Sequence, residues 1–224
     1  MPASIAGGES FSNVRLTTER LTLREIEEDD WRSLLDYWSD PEVARYMPRG
    51  ALNEEKVKGL VQRAVLGRRS HPRRYFRLAV VLKEGHQFVG DCVCRLVDPD
   101  NLEDLSRIIG QAHIGYYFGR EFWGHGYATE VASALLAYGF ETLGLQKIWA
   151  WCDTENLASV RVLEKIGMNR EGHFRKSALI QGKWQDCFVY GLLKDEPHER
   201  PLGRGVVQGK ETRPRRIDHP DKQQ

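Results

Sequence analysis

The clearest pattern of apolar positions lies in the second half of the chain. Small or apolar residues recur there at spacings of three and four, at Ala128, Val131, Ala132, Leu135, Leu136, Gly139, Phe140 and Leu143. This spacing places them on one face of a helix. Gly144 follows at a position where helices commonly end. The pattern predicts a long buried helix that begins near Tyr127.

Three shorter helices are predicted by the same period. The first follows Asp29 or Asp30, either of which can cap a helix. The second spans residues 54–66, and the third begins after Asn156 and ends near Ile166. Their inward positions are Trp31, Leu34, Leu35 and Trp38 in the first, and Val57, Leu60, Val61 and Ala64 in the second.

Alternation of apolar and polar residues predicts strands between the helices. VRLTTERLTLREI suggests an N-terminal strand with Leu21 and Leu23 on one face. The other predicted strands are YFRLAVVLK and QFVGDCVCRLV, paired as a hairpin, then IGQAHIGYYF, KIWAWCD, and the pair HFRKSALI and WQDCFVYGLL. Strands before, between and after the helices predict one α/β domain over residues 13–195.

The two ends differ from this domain. Residues 1–12 are small and polar, and we expect them to be disordered. Residues 196–224 include four prolines and carry seven Lys/Arg against four Asp/Glu from residue 197 onward. Too little apolar surface is present for such a segment to fold alone. We expect a disordered basic tail, with an arm that contacts a partner as the alternative.

Composition restricts the class of protein. A net charge of +1 with 41% hydrophobic and 29% charged residues is typical of a soluble domain without a dominant electrostatic partner. No apolar run is long enough to span a bilayer, and the N-terminus lacks the pattern of a signal peptide. The four cysteines include no Cys-x-x-Cys pair, so we expect reduced, packed thiols and no metal site. These features predict a cytoplasmic protein with no membrane partner.

The stretch FWGHGYATEVA sets Gly124, Gly126 and Ala128 at alternate positions where a strand leads into the long helix. Such a turn frees backbone N–H groups at the positive end of the helix dipole, which favours an anion. A Walker A loop would need Gly-Lys-Ser/Thr, and a Rossmann fingerprint would need a third glycine at Thr129. Neither nucleotide-binding motif matches. From these residues alone, a structural turn that binds no ligand is an equally open interpretation.

The stretch IGYYFGREFWGHGYATEVASALLAYGFETLGLQKIWAWCDTENLASVRVLEKIGMNREG resembles the GNAT superfamily of acyl-CoA-dependent N-acyltransferases, and in particular the RimJ/RimL-type branch. TERLTLREIEEDDWRSLLDYWSDPEVARYM is similar to the opening of that branch, and GKWQDCFVYGLL to its end. The resemblance implies an α/β (α+β) fold with a mixed, largely antiparallel central sheet. It further implies that the sheet is splayed at the cofactor site and carries helices on both faces.

The resemblance also implies where acetyl-CoA binds. Backbone amides of one loop would hold the coenzyme diphosphate, at Trp123, Gly124, His125, Gly126, Tyr127, Ala128 and Thr129. The strand that ends at Tyr117 and Phe118 would pair with the pantetheine amides like an added strand. Asn156 matches an asparagine that hydrogen-bonds the pantetheine arm. Without the resemblance, Asn156 is simply a helix N-cap.

Transfer from a thioester to an amine needs a donor near the sulfur and a base for the amine. Many members of the superfamily use a tyrosine as the acid near sulfur, but this chain has Leu163 at that position. In this branch a serine three residues after the asparagine can take that place, here Ser159. His113 is the candidate base, since histidine titrates in the useful range. The other candidates for the base are Asp91, Asp153 and Glu155, while Glu130 is expected to complement the helix dipole.

Three functions remain open on the sequence. The leading one is an acetyl-CoA-dependent N-acetyltransferase that acts on a primary amine, either a protein N-terminus or a small molecule, with a homodimer as a possible assembly. The second is a non-catalytic acyl-CoA-binding protein, which Leu163 keeps open. The third is a basic RNA- or ribosome-associated protein. Its candidate surface is the segment of residues 62–77, which holds six arginines and no acid and could otherwise meet the 3′-phosphate of coenzyme A or an acidic acceptor. The few aromatic residues in that segment make nucleic acid the least expected partner.

Overall fold

The structure is a computed structural model that describes residues 13–47, 49–97 and 110–196. The predicted disordered segments, residues 1–12 and 196–224, lie outside the described residues except for Glu196. In chain order the strands and α-helices are β1 (Arg15–Thr17), β2 (Leu21–Glu25), α1 (Trp31–Trp38), α2 (Glu54–Gly67), β3 (Tyr75–Leu82), β4 (Phe88–Leu96), β5 (Gln111–Phe118), α3 (Tyr127–Ala137), β6 (Lys147–Asp153), α4 (Leu157–Lys165), β7 (Asn169–Ile180) and β8 (Lys183–Leu193).

All the described strands join one eight-stranded sheet in the order β1-β2-β3-β4-β5-β6-β8-β7. Every neighbouring pair is antiparallel except β5 and β6, which are parallel. Parallel neighbours need a crossover connection, and α3 supplies it. The predicted mixed, largely antiparallel sheet is confirmed.

The prediction of one N-terminal strand over residues 14–26 is wrong, because the chain turns back on itself there. Thr18 donates its backbone N–H to the Leu21 carbonyl at 3.0 Å, and β1 pairs with β2 so that Leu16 faces Leu23. Leucines at both of these positions lie on the same face of the hairpin and are fully buried. A hairpin and one long strand have the same alternation, so periodicity alone could not distinguish them.

Helices cover both faces of the sheet, as expected. On one face α1 and α2 pack on β3 and β4, and their side chains form a core with Val57, Val61 and Ala79. On the other face α3 packs on β5 and α4 on β6, around Leu135 and Leu163. α2 buries all four of its predicted inward residues, whereas Trp31 and Leu35 of α1 are only partly buried. The sheet is the middle of three layers.

The long helix after the glycine loop is shorter than predicted. α3 ends at Ala137, and a π-helical turn follows over residues 138–142. Within that turn Leu143 donates its N–H to the Tyr138 carbonyl at 3.0 Å. Gly139 lies so close to the Ile148 side chain that a Cβ there would collide with it. The wider turn thus keeps the apolar stripe on the sheet while the backbone approaches β6.

The ends of the other helices follow local hydrogen bonds. Asn53 caps α2 by accepting the Lys56 N–H at 3.0 Å, and the predicted helix is confirmed with one extra residue. Asp30 precedes α1, but its carboxylate does not cap that helix. It instead accepts the Glu27 N–H at 2.7 Å and pairs with Arg24 at 2.7 Å. Asp30 thus occupies the predicted N-cap position of α1, but its carboxylate forms a capping box with Glu27 in place of a side-chain cap of α1.

All four cysteines are free and buried, in agreement with the prediction of packed thiols. Among the residues that the structure describes, no helix has the length and apolar content that a membrane span requires.

The sheet opens between β5 and β6. These strands pair only from Gln111 to His113, against Lys147 to Trp149. Beyond His113, β5 continues along β4 as far as Phe118, while β6 continues along β8 as far as Asp153. The two strands diverge from that point, so the edge of β5 that faces β6 has no strand beside it.

Candidate active site

A cleft of about 850 Å³ begins where β5 and β6 diverge. Its walls come from both strands, from the loop that precedes α3, from α4, and from the connection between α1 and α2. The cleft lies within the size range of small-molecule sites. Eleven of the twelve predicted cofactor-binding and catalytic residues line this cleft: Ser159, His113, Tyr117, Phe118, Trp123, Gly124, Gly126, Tyr127, Ala128, Thr129 and Asn156.

The loop before α3 has the geometry of an anion site. Gly124 and Gly126 adopt left-handed φ values of 79° and 80°, which side chains rarely tolerate. Gly126 is the N-cap of α3, and the helix begins at Tyr127. The first N–H groups of a helix have no partner within it, and the helix dipole adds positive potential there. The loop can therefore hold an anion with backbone amides alone.

An ion pair fixes this loop to the turn between β1 and β2. The Glu130 carboxylate accepts hydrogen bonds from the Thr18 hydroxyl, from the Arg20 N–H at 2.8 Å and from Arg20 Nε at 2.9 Å. Arg20 also donates to the His125 carbonyl at 2.9 Å and stacks over the Tyr127 ring at 4.7 Å. Glu130 does more than complement the helix dipole, because it positions an arginine that holds the loop.

Two aromatic residues of the loop have roles that the sequence did not indicate. The Trp123 ring is exposed, and its Nε1 donates to the Phe118 carbonyl at 3.0 Å, which ties the loop to the end of β5. His125 does not line the cleft; its ring stacks on Tyr127 with centroids 5.5 Å apart. Of the predicted loop residues, His125 thus faces away from the cavity.

β5 presents a different chemistry on each of its faces. Successive side chains of a strand alternate, so His113 and Tyr117 face α1 and α2 while Tyr116 and Phe118 face α3 and α4. Phe118 is buried in the core of the second face, and Tyr117 packs beside Trp38 with ring centroids 4.7 Å apart. The cleft between β5 and β6 is open to both sets of side chains.

His113 lies beside Trp149, with the ring centroids 4.8 Å apart. Burial, and secondarily the positive charge of Arg95, lowers the pKa of His113 to about 4. The imidazole is therefore neutral near pH 7, and its conjugate acid is strong. A base of this kind is free to accept a proton but holds it weakly.

Asn156 and Ser159 are joined by the cap of α4. Asn156 Oδ1 accepts the Ser159 N–H at 3.1 Å, which confirms the predicted N-cap. The amide nitrogen of Asn156 stays available to a ligand in the cleft, because the cap uses only the oxygen. Leu163, one turn beyond Ser159, is 1% exposed and belongs to the core. α4 therefore offers the hydroxyl of Ser159 to the cleft and none at position 163.

Asp153 ends β6 at the wall of the cleft. Its side chain is buried, its Oδ1 accepts the Glu155 N–H at 2.7 Å, and its Oδ2 has no hydrogen-bond partner among the described residues. Burial raises the pKa of Asp153, and the neighbouring acid groups Glu155 and Asp186 add to this effect. A buried carboxylate oxygen without a donor favours an incoming cation or proton.

Asp91 belongs instead to a buried cluster beneath the cleft. It pairs with Arg77 at 2.7 Å and accepts hydrogen bonds from Tyr37 and, at 3.0 Å, from Trp38 Nε1. Its side chain does not line the cleft, whereas Arg77 does. The cluster fixes the wall formed by α1, and Asp91 is in no position to act as the base.

The arginine-rich segment of residues 62–77 is largely used inside the fold. Arg73 makes a bidentate pair with Glu25 at 2.7 and 2.9 Å, and Arg68 lies 3.6 Å from the same carboxylate. Arg77 pairs with Asp91. Only Arg63 and Arg69 of the six arginines are exposed. The segment therefore does not form the continuous basic surface that an RNA or an acidic acceptor would need.

Tyr116 is the site residue that sequence reasoning missed. It lines the cleft, and its hydroxyl is buried without a hydrogen-bond partner in the described part of the chain. Burial raises its pKa, and the Ser159 side chain lies near enough to lower it partly. Alternation along IGYYF places Tyr116 on the strand face opposite Tyr117, but the enclosure of its hydroxyl depends on the packing of α4 and cannot be read from local sequence.

Comparison with known proteins shows which family this chain resembles in sequence and structure. Residues 20–169 match the acetyltransferase (GNAT) domain family. A Bacillus licheniformis protein described as "Uncharacterized N-acetyltransferase p20" is 34% identical over 182 residues, which cover 81% of this chain and 97% of that protein. A GNAT-family acetyltransferase structure from Bacillus anthracis has a TM-score of 0.70 at 32% identity, and covers 81% of this chain and 99% of that one.

A third comparison concerns the fold alone. The structure of spermidine N-acetyltransferase from Vibrio cholerae, in complex with CoA and spermine, has a TM-score of 0.65 at 22% identity, and covers 78% of this chain and 95% of that one. The shared fold is thus one that can hold CoA. Taken with the family match over residues 20–169, these findings identify the chain as an acetyltransferase enzyme that belongs to the GNAT family.

Proposed function

We propose that this enzyme transfers an acetyl group from acetyl-CoA to a primary amine by direct attack of the amine on the thioester, as a RimJ/RimL-like member of its family. The acceptor is a protein N-terminal amine or a small-molecule amine. The observation that carries the proposal is the cleft itself. A left-handed glycine loop at the start of α3 and the unpaired edge of β5 open into one cavity of about 850 Å³.

The cofactor end of the cleft fits acetyl-CoA in three respects. Amides around Gly126, at the positive end of α3, suit a diphosphate. The unpaired edge of β5 toward Phe118 offers backbone groups to the pantetheine amides, in the manner of an added strand. Arg161 and Lys165 of α4 line the same cavity and can meet further phosphate charge. When bound, acetyl-CoA supplies the thioester carbonyl that the amine attacks.

The acceptor end is assigned to the face of α1 and α2. His113, Trp151 and Asp153 line the cavity from β5 and β6, and Tyr46 closes it from the α1–α2 connection. The Tyr46 hydroxyl donates to the Glu155 carbonyl at 3.3 Å, which links that connection to the end of β6. An amine that enters here can approach the point where the two strands diverge, next to the predicted position of the thioester.

We propose that Asp153, rather than His113, is the base that accepts the proton of the amine. An amine arrives mainly as a cation near pH 7, and the unpartnered Oδ2 of Asp153 can bind that cation before it accepts the proton. Burial keeps His113 neutral, so it adds no electrostatic attraction. Both stay proposals, and the variants Asp153→Asn and His113→Gln decide between them. We expect Asp153→Asn to lower kcat/KM for the amine about 100-fold or more and His113→Gln less than tenfold.

The experiment that tests the function measures thiol release from acetyl-CoA with a panel of amines. Purified wild-type protein should release CoA only when an acceptor amine is present, and mass spectrometry should find the acetyl group on nitrogen. Calorimetry with CoA provides a second measurement that does not depend on the acceptor. Binding of CoA without turnover on any amine would support the non-catalytic alternative, and absence of both would reject the proposed function.

The four buried free thiols support the cytoplasm as the location.

A further inference from the structure

The leaving sulfur needs a partner that the sequence does not supply at the usual place. Breaking the C–S bond leaves the bonding electron pair on sulfur, and this charge is stabilised by a hydrogen-bond donor or neutralised by a proton. Position 163 carries leucine, and its side chain is buried in the core with 1% exposure. The donor must therefore come from another position in the described structure or be absent.

Tyr116 meets the geometric requirements for such a donor. Its side chain projects from β5 toward α4, on the face opposite His113 and Tyr117. Its hydroxyl is enclosed, has no hydrogen-bond partner among the described residues, and belongs to a side chain that lines the cleft. A buried hydroxyl without a partner is costly, so the fold retains here a donor that a ligand can satisfy.

Ser159 approaches the same space from α4. The cap by Asn156 fixes its backbone, because Asn156 Oδ1 accepts the Ser159 N–H at 3.1 Å. The Ser159 side chain lies within hydrogen-bonding reach of Tyr116 and partly offsets the rise that burial causes in the pKa of that tyrosine. Both side chains line the cleft, so the two hydroxyls can turn toward a third group there.

We propose that Tyr116, with Ser159 beside it, donates the hydrogen bond that stabilises the departing CoA sulfur, in the place of the tyrosine that position 163 lacks. The inference rests on the proposed function. In the reaction the amine lone pair forms the C–N bond and the C–S electron pair moves to sulfur. One proton leaves the nitrogen and one proton ends on the sulfur, so amine and acetyl-CoA give amide and CoA thiol. Tyr116 keeps its own proton throughout.

The decisive measurement is the pKa of the CoA thiol in the enzyme–CoA complex, followed by the ultraviolet absorbance of the thiolate as the pH is raised. A donor to sulfur stabilises the thiolate and lowers this pKa. Tyr116→Phe removes only the hydroxyl, and should raise the pKa of the bound thiol by about one to two pH units. The same variant should lower kcat roughly 10- to 100-fold while the KM for acetyl-CoA changes less than threefold.

Tyr138→Phe is the matched control. The Tyr138 hydroxyl is likewise buried without a hydrogen-bond partner in the described residues, but it does not line the cleft. The control should leave the thiol pKa and kcat unchanged. Other ionisable groups that line the cavity, among them Asp153 of β6 and Arg161 of α4, are the same in both variants.

A double-mutant cycle with Ser159→Ala tests whether the two hydroxyls act together. We expect the double variant to lose less than the product of the two single losses in kcat, because both serve one atom. An unchanged thiol pKa in Tyr116→Phe would overturn the proposal, and so would loss of CoA binding in that variant, which would make Tyr116 a structural residue of the cofactor site. Wild-type protein that neither binds CoA nor releases thiol would instead reject the proposed function.

Discussion

The contact between Glu130 and Arg20 offers a direct test of how the glycine loop is held. Glu130→Gln preserves the shape of the side chain and removes its charge. The wild-type carboxylate accepts from the Thr18 hydroxyl, the Arg20 N–H and Arg20 Nε, and lies 2.8 Å from Arg20 Nη2. A glutamine has one acceptor oxygen and one NH₂ group. Its NH₂ group would therefore face at least one N–H or O–H donor and could not accept a hydrogen bond from it.

The magnitude follows from the exposure of the partners. Hydrogen bonds to a charged group contribute about 1.5–3 kcal/mol each to stability. The Arg20 side chain is 44% exposed and that of Glu130 15%, so solvent screens much of the ion pair. We therefore expect a total loss of about 2 kcal/mol rather than the sum. For a protein of this size, this loss lowers Tm by roughly 4–8 °C.

We expect the Glu130→Gln substitution to weaken CoA binding as well as stability. Arg20 holds the His125 carbonyl and covers Tyr127, so an Arg20 side chain released by the variant no longer fixes the loop. If all of the ~2 kcal/mol appeared in binding, Kd for CoA would rise roughly 30-fold, since 1.4 kcal/mol is tenfold. We expect a rise of roughly 5- to 30-fold.

The effect depends on pH in a defined direction. Burial alone would raise the pKa of Glu130, but the hydrogen bonds from Thr18 and Arg20 outweigh it and lower the pKa below 4.5. The contribution of Glu130 to stability is therefore complete above about pH 4.5 and is lost as the pH falls through the folded-state pKa. Urea unfolding should show wild type and variant separated at pH 7 and converging below pH 4.5.

The assay combines urea unfolding with calorimetry of CoA binding at pH 7. Glu141→Gln is the control, because Glu141 is exposed on the π-helical turn beyond α3. This control should change neither stability nor affinity by more than about 0.5 kcal/mol. A Glu130→Gln protein with wild-type stability and wild-type CoA affinity would refute the argument that this contact positions the loop.

Two further substitutions test other parts of the structure. Gly126→Val forces a β-branched residue into φ 80° at the N-cap of α3, so CoA binding should vanish in calorimetry while circular dichroism retains the helical signal; preserved binding would remove the loop from the cofactor site. Asp91→Ala leaves buried Arg77 without its partner and should cost about 3–5 kcal/mol in urea unfolding. The exposed Asp29→Ala control should cost less than about 0.5 kcal/mol, and equal losses in the two variants would contradict the assignment of a buried cluster.

The sequence by itself determined the elements whose patterns are local. The apolar stripe from Val131 to Leu136 predicted α3, and Asn53 and Asn156 stand where helices begin. The small residues of the loop predicted a turn that opens a helix, and α3 begins there at Tyr127. Each of these features depends on hydrogen bonds and side chains within a few residues, so the chain carries its own evidence for them.

Tertiary structure alone decided which distant residues meet. The hairpin of β1 and β2 has the same alternation as a single strand, and only its place at the edge of the sheet brings Arg20 to Glu130, 110 residues later in the chain. The use of Arg77 inside the fold depends in the same way on Asp91 of the neighbouring strand. Charge and periodicity cannot reveal such pairs, because neither one specifies the register between strands.

The residues of the candidate site fall into the same two groups, those predicted from local sequence and those recognised only in the fold. Sequence and resemblance placed the loop, Asn156 and Ser159, since these follow a spacing. Tyr116 and the free oxygen of Asp153 became visible only where burial and the absence of a neighbouring donor could be read from coordinates of the described residues. Enclosure of a polar atom is a property of everything packed around it, and for that reason the fold, rather than the local sequence, decided which side chains face the cleft unsatisfied.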